Sequence, residues 1–443
     1  MRYKNPLERT QKAILVGIQR PDTTNLAHQA SVEELGRLAE TLGFEVVDTI
    51  HQKRQELCTK TALGSGKLQQ LKQRIEEIVQ SDADDEVQTS RGPRQRPLTP
   101  VVIMNDALTP LQFRSLEKEL EVSVFDRTGV ILEIFRRHAK TRAARLQVEL
   151  ASLQYEALHQ RERRGKNMDQ QAGGIGAHAK GAGEAAHKME KSRLRARTAQ
   201  LRREIAAIAR EKEHRCAQRG QLASVALVGY TNAGKSTWMR KLTESEVSAK
   251  DRLFETLDTT TRVLQHEGGQ RILMSDTVGF IENIPHELVA SFHSTLEEAR
   301  QASVLLHVVD ASSLQVETHI RVTQEVLREL HAGDIPQILL MNKADQVDEE
   351  RLETLQMCYP DALFVSIYRD EDLEAVTQHI VSFFEQEMFE ETLFIPYEKH
   401  HLVYTIHDSM RVLEASYEDK GTQLSVLAFA RQLKQIHSQL HAA

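Results

Sequence analysis

Residues Gly229 to Ser236 read Gly-Tyr-Thr-Asn-Ala-Gly-Lys-Ser and lie between the apolar run 225–228 and an amphipathic stretch over 237–242. A buried strand that passes through a glycine loop into a helix start points backbone N–H groups and the positive end of a helix dipole at one spot. That spot suits a polyphosphate. In this reading Gly229 and Gly234 let the main chain curl around the anion, with Tyr230, Thr231, Asn232 and Ala233 as the cradle between them. Lys235 reaches the β- and γ-phosphates, the Ser236 hydroxyl is placed to ligate Mg²⁺, and Thr237 closes the set. The strand–loop–helix order also commits this part of the chain to an α/β sheet, because the next strand must pair alongside the first.

Which base is bound depends on residues further along. Asn342, Lys343, Ala344 and Asp345 follow the apolar run 338–341, a second strand ending in a polar turn. A carboxylate at 345 accepts hydrogen bonds from guanine N1–H and the N2 amine, whereas adenine offers the reversed pattern; a buried carboxylate would discriminate strongly. Ser366 and Ile367, at the end of the strand expected over 362–366, stand where a backbone contact can support the base. The expected substrate is GTP.

Between these motifs, the strand expected over 272–274 delivers Asp276, Thr277, Val278 and Gly279. Asp276 can hold the metal through water, and the Gly279 N–H can meet the γ-phosphate. Upstream, Phe254, Glu255, Thr256, Leu257 and Asp258 form the expected mobile segment. Thr256 is assigned as the second Mg²⁺ ligand, with Thr259, Thr260 and Thr261 as rivals. Lys235, Thr256 and Gly279 are thus the candidate catalytic set. Phe280 stands where Ras-like enzymes carry a water-orienting glutamine, so intrinsic hydrolysis is expected to be slow unless a partner completes the site. The Asn232 amide oxygen is a candidate K⁺ ligand beside the phosphates; a simple turn cap is the competing reading.

At 443 residues, 40% apolar and 27% charged, the chain has room for about three domains with ordinary cores. It offers no long uncharged apolar stretch and no hydrophobic leader after Met1, so stable membrane insertion is not expected. Cys58, Cys216 and Cys358 are odd in number and far apart, which fits a reducing compartment. The expected location is the cytoplasm. The net charge is −7, yet between Arg136 and Arg219 there are 21 Lys and Arg against nine Asp and Glu. A basic element on an acidic body is the footprint of polyanion binding.

Strand-like runs at 12–17, 44–47, 100–104 and 122–125 alternate with helical stretches at 32–42 and 67–80, which predicts a parallel sheet with helices on it. The polar stretch 81–97 is expected to be a disordered insertion. Leu146, Leu150, Leu153 and Ala157, then Leu194, Leu201, Ile205 and Ile208, give two narrow apolar stripes and predict an antiparallel helical hairpin. Its tip, 173–184, is glycine-rich and bordered by Arg and Lys, suited to phosphate contacts in a folded RNA. Period-two alternation over 402–406 predicts a strand in a last small unit, which ends in a segment over 424–440. The predicted class is α/β. It comprises an N-terminal parallel-sheet domain over 1–135, a basic two-helix coiled-coil hairpin over 136–220, a Ras-like P-loop GTPase domain over 221–390, and a small α+β domain over 391–443.

These residues resemble the HflX family of ribosome-associated GTPases over nearly the full length. The resemblance is carried by Leu63-Gly-Ser-Gly-Lys-Leu68, Phe125-Asp-Arg-Thr-Gly129, Leu146-Gln-Val-Glu-Leu150, the 229–237 loop, Leu253-Phe-Glu-Thr-Leu-Asp258 and Asp276-Thr-Val-Gly-Phe-Ile281. It implies binding to the large ribosomal subunit and its rRNA, with the glycine tip reaching toward the peptidyl-transferase region. It further implies splitting or rescue of stalled ribosomes under stress and faster GTP hydrolysis on the ribosome; a monomer is expected. The tip departs from the family pattern, lacking its Pro and its Thr-Gln-Leu run. A GTP-gated RNA-binding module with little hydrolysis is the alternative function.

Overall fold

The computed structural model describes residues 11–89, 99–161, 189, 192–211, 223–243, 254, 260–264, 271–282, 298–386 and 388–441. The described residues up to 205 form one compact unit and those from 206 onward a second.

In the first unit, strands β1 (Gln11–Gln19), β2 (Phe44–Lys53), β3 (Val101–Met104) and β4 (Val124–Asp126) form a wholly parallel sheet in the order β2-β1-β3-β4. Parallel neighbours need crossovers, and helices α1 (Asn25–Thr41), α2 (Ser65–Thr89) and α3 (Pro110–Leu120) supply them. Ile14, Val16 and Ile18 of β1 pack with Leu71, Ile75 and Ile78 of α2 and Leu116 and Leu120 of α3. The helix starts are local chemistry. Thr24 caps α1 by accepting from the Ala27 N–H at 3.2 Å, and Thr109 with Gln112 forms a capping box before Pro110.

One expectation fails here. Helix α2 runs on to Thr89, into the stretch 81–97 expected to be disordered; residues 90–97 lie outside the described residues. No Gly or Pro interrupts the chain between 67 and 91, so the helix anchored by Leu71, Ile75 and Ile78 has nothing to stop it.

Helix α4 (Arg127–His138) starts on β4 and runs past the expected domain end at 135. Its N-cap, Asp126, is buried and accepts from the Gly129 N–H at 2.8 Å, the Leu108 N–H at 3.1 Å and the Tyr155 hydroxyl at 2.8 Å. Tyr155 belongs to α5 (Arg142–Arg161), so this carboxylate ties the basic helix to the end of the sheet. Helix α6 (192–211) lies beside α5. Arg197 donates to Glu149 at 2.8 and 2.9 Å, and Arg142 to Glu204 at 3.1 Å. One residue number rises as its partner's falls, so the pair is antiparallel as expected, with Leu146, Leu150 and Leu201 buried. The glycine-rich tip lies outside the described residues.

The second unit is built on a six-stranded sheet. It contains β5 (Ala223–Val228), β6 (Thr260–Val263), β7 (Ile272–Asp276), β8 (Val304–Asp310), β9 (Gln337–Asn342) and β10 (Leu363–Phe364), in the order β10-β9-β8-β5-β7-β6. All pairs are parallel except the β6–β7 edge. Strand β5 is apolar on both faces because helices cover both sides of a parallel sheet. On one face Trp238, Met239 and Leu242 of α7 (Lys235–Leu242) and Val376, Ile380 and Phe384 of α10 (Asp370–Gln386) pack on Val225, Leu227, Leu306 and Val308. On the other, Val316 and Ile320 of α8 (Val316–Glu329) pack with Val309 and Met341. Helix α9 (Glu349–Cys358) lies between β9 and β10 in the chain, its first turn capped by Asp348.

The last segment carries a three-stranded antiparallel sheet, β11 (Phe389–Pro396), β12 (Arg411–Glu418) and β13 (Gly421–Ala428), in the order β11-β13-β12, with helices α11 (His401–Ser409) and α12 (Ala430–His441). Strand β11 begins two residues before the expected boundary at 391. The expected strand over 402–406 is helical: Leu402 and Ile406 are buried while Tyr404 between them is exposed, and a spacing of four serves a helix face as well as a strand face.

Candidate functional site

The phosphate loop, the 276–279 segment and the 342–345 turn all leave the C-terminal ends of parallel strands, where a doubly wound sheet opens its crevice. At Gly229 φ is +143°, and a β-carbon there would lie 2.1 Å from the Val308 carbonyl oxygen of the neighbouring strand. Gly234, at φ +100°, is the N-cap of α7. Asn232 also takes a left-handed conformation, φ +61°, exposed at the loop tip. Asparagine tolerates that geometry, as the turn reading requires.

Lys235 is only 6% exposed, and its Nζ donates to the Gly229 and Tyr230 carbonyls at 3.1 and 2.7 Å. The loop therefore pre-sets the lysine in the crevice. Burial lowers its pKa to about 8, against the opposing pull of Asp276. Ser236 donates to the Asp276 carboxylate at 2.6 Å. Thr277 donates to the Leu227 carbonyl at 2.7 Å, and Val278 is buried. A hydroxyl beside a carboxylate is a pair of hard oxygens, and such donors fit Mg²⁺.

The 279–282 segment lies on the phosphate loop. Thr231 N–H donates to the Phe280 carbonyl at 2.7 Å, and Phe280 N–H to the Gly229 carbonyl at 3.1 Å. A β-carbon at Gly279 would sit 2.9 Å from Lys235 Nζ, so the Gly279 backbone closes directly over the lysine. Phe280 is 2% exposed and its ring carries no polar group, which leaves the water-orienting position without one.

In the second turn, the buried Asn342 donates its side-chain amide to the Ala233 carbonyl at 2.8 Å, locking the base motif to the phosphate loop. Lys343 donates to Asp310 at 2.6 Å. Ala344 N–H donates to the Val365 carbonyl at 3.1 Å, and Ser366 N–H to Asp372 at 2.7 Å, which brings 342–345 and 366–367 together. Asp345 departs from expectation. It is exposed, in a short 3-10 turn (Ala344–Gln346) that follows the strand end. Asp310 and Asp372 were not singled out in the sequence; the only signal is that each ends or follows an apolar strand.

Of the switch residues, Phe254 is buried, whereas Glu255, Thr256, Leu257, Asp258 and Thr259 lie outside the described residues. Thr260 and Thr261 sit on the edge strand β6 opposite Asp276 and Ser275, and the Thr261 hydroxyl lies 3.2 Å from that of Ser275. Thr237 is half-buried on the first turn of α7, and Ile367 is buried.

The lysine's depressed pKa makes a pH prediction. Between about 8 and 10.5 the unfolded chain holds the proton that the folded protein has released, so this group's contribution to stability rises with pH across that window. An incoming polyphosphate restores the charge. Nucleotide binding is therefore expected to take up close to one proton above pH 8 and none near pH 6.5, and affinity falls as pH rises through 8. Calorimetry in buffers of different ionisation enthalpy measures this directly.

A glycine loop pinned to a parallel strand, a buried lysine, a serine–aspartate pair and an Asn-Lys-x-Asp turn define a P-loop GTPase. Three family descriptions match in chain order: "GTP-binding GTPase N-terminal" over 29–136, "GTP-binding GTPase Middle Region" over 138–219 and "50S ribosome-binding GTPase" over 224–343. The chain is 43% identical to GTPase HflX of Gluconacetobacter diazotrophicus, over 97% of this chain and 98% of that one. It is 37% identical to GTPase HflX of Alkalihalophilus pseudofirmus, over 97% and 96%. Among solved structures, the GDP complex of SsGBP is 22% identical, covering 85% of this chain and 99% of that chain with a TM-score of 0.46. The chain belongs to the HflX family of GTPases: it binds and hydrolyses GTP. No helix among the described residues is long and apolar enough to cross a membrane.

Proposed function

We propose that this GTPase acts on the ribosome, binding the large subunit through its basic helical hairpin and using GTP binding and hydrolysis to split or rescue stalled particles. The observation that carries the reading is the junction of two parts. A segment matching a 50S ribosome-binding GTPase description follows an antiparallel hairpin in which Arg197 and Arg142 pair with Glu149 and Glu204, and whose 21 Lys and Arg between Arg136 and Arg219 outnumber nine Asp and Glu, a cationic excess suited to phosphates. In this reading Lys235 and the Gly279 N–H hold the γ-phosphate, and Ser236, Thr256 and, through water, Asp276 would hold Mg²⁺. Mg²⁺, when bound, would supply neutralisation of phosphate charge; the loop and Lys235 orient the nucleotide and exclude water around it. K⁺ beside Asn232 is the further cation to test, by turnover in K⁺ against Na⁺ buffers.

Cosedimentation of the protein with separated subunits, in GDP and in a non-hydrolysable GTP analogue, tests the partner. The expected result is analogue-dependent pelleting with large subunits and faster GTP turnover in their presence. Absence of both removes the ribosomal reading and leaves the GTPase untouched. The buried apolar Phe280 favours a second reading, a GTP-gated binder with little hydrolysis. Subunit binding without any gain in turnover would decide for it.

Guanine selectivity has its own test. Asp345→Asn replaces an acceptor for two guanine donors with an amide, and each charge-assisted hydrogen bond lost costs about 1.5–3 kcal/mol. GTP affinity is expected to fall by roughly 10- to 100-fold while xanthosine triphosphate, which offers a carbonyl at position 2, gains. Competition binding of the two nucleotides reads the switch.

A further inference from the structure

Tyr230, the second residue of the phosphate loop, is held on several sides. Its ring stacks on the His319 imidazole of α8 with centroids 3.9 Å apart and planes 15° from parallel. Its hydroxyl accepts the Glu282 backbone N–H at 2.8 Å, and its own carbonyl accepts Lys235 Nζ at 2.7 Å. Its backbone forms an isolated parallel bridge with Phe280. The ring is 5% exposed, so it cannot swing away without opening the structure around it. One residue thus touches the phosphate-reaching lysine, the chain that follows Gly279, and a helix that lines the opposite face of the sheet.

We propose that Tyr230, braced by His319, is a positioning residue for GTP hydrolysis: its hydroxyl pins the chain at Glu282 and so fixes the Gly279 N–H over Lys235. The proposal rests on the assignment of Gly279 and Lys235 to the γ-phosphate. Two main-chain bonds, Thr231 N–H to the Phe280 carbonyl and Phe280 N–H to the Gly229 carbonyl, hold the near end of the segment. The phenol oxygen holds its far end, two residues on. Because residue 280 is a phenylalanine and supplies no amide to orient water, placement of the backbone around Gly279 has to do more of the work. The first torsion is the one that moves the phenol oxygen, and the stack on His319 opposes that swing of the ring, so the imidazole holds the hydroxyl in register.

Three variants separate this role from general stability. Tyr230→Phe removes the hydroxyl and keeps the ring, His319→Leu removes the aromatic platform, and His319→Phe restores it. Steady-state GTP turnover on the full-length protein should show kcat lowered about three- to tenfold in Tyr230→Phe and His319→Leu, with KM within about twofold, since one neutral hydrogen bond is at stake. His319→Phe should recover most of the rate lost in His319→Leu. Trp238, the single tryptophan, lies buried on α7 directly after the loop and reports folding and nucleotide binding in each variant. Wild-type kcat in Tyr230→Phe overturns the proposal. So does equal loss in His319→Phe and His319→Leu, or a rise in KM that accounts for the whole effect. If Lys235→Ala binds GTP normally, the site assignment itself has failed, which is a different result from a silent Tyr230→Phe in a protein whose Lys235→Ala is dead.

Discussion

Lys235→Ala is expected to lose GTP binding by at least about a hundredfold, since a charge-assisted contact to phosphate is removed from a water-poor site. The lysine is buried and aimed by two loop carbonyls before any ligand arrives, so no ordering of a long flexible side chain is needed on binding. Its loss also removes one donor from each of those carbonyls, which keep the Phe280 and Ala233 N–H groups. The variant should nonetheless fold, because the ammonium's burial is itself unfavourable, as its lowered pKa records. Titration of Trp238 fluorescence with GTP, next to a thermal melt, reads both halves. Retained affinity would remove this lysine from the phosphate site.

Gly229→Ala is expected to damage the fold of the second unit. The substituent would meet the Val308 carbonyl oxygen at 2.1 Å from a backbone angle of +143° that L-residues rarely adopt. Val308 cannot retreat, because β8 is hydrogen-bonded between β5 and β9 in the middle of the sheet. A clash against fixed backbone belongs to the largest class of single-site effects, about 3 kcal/mol or more. For a unit of this size that is a fall of roughly 6–12 °C in melting temperature. A melting temperature within about 2 °C of the parent protein would show that the strand yields where the geometry says it does not.

The loop, the strand before it and the helix after it were legible because each is a local pattern: an apolar run, two glycines and a helix start. The antiparallel hairpin was legible for the same reason, its stripes of Leu and Ile being periodic within each helix. Reading failed where two periods coincide. Leu402 and Ile406 satisfy a strand by alternation and a helix by fourfold spacing, and the amphipathic packing of α11 chose between them. It failed too where composition stood in for geometry, since the polar composition of 81–97 suggested disorder although its first part, 81–89, holds no helix breaker and is helical.

The amino-acid order alone determined the nucleotide chemistry, because a phosphate cradle is made by consecutive residues whose backbone and side chains act together over one turn. Only the tertiary structure decided how the pieces are joined. Asn342 reaches the Ala233 carbonyl 109 positions away, the Asp345 carboxylate lies open at the surface, and Tyr230 is braced by His319. Contacts between distant residues depend on which strands neighbour each other and in what register, and a linear pattern holds no direct trace of either.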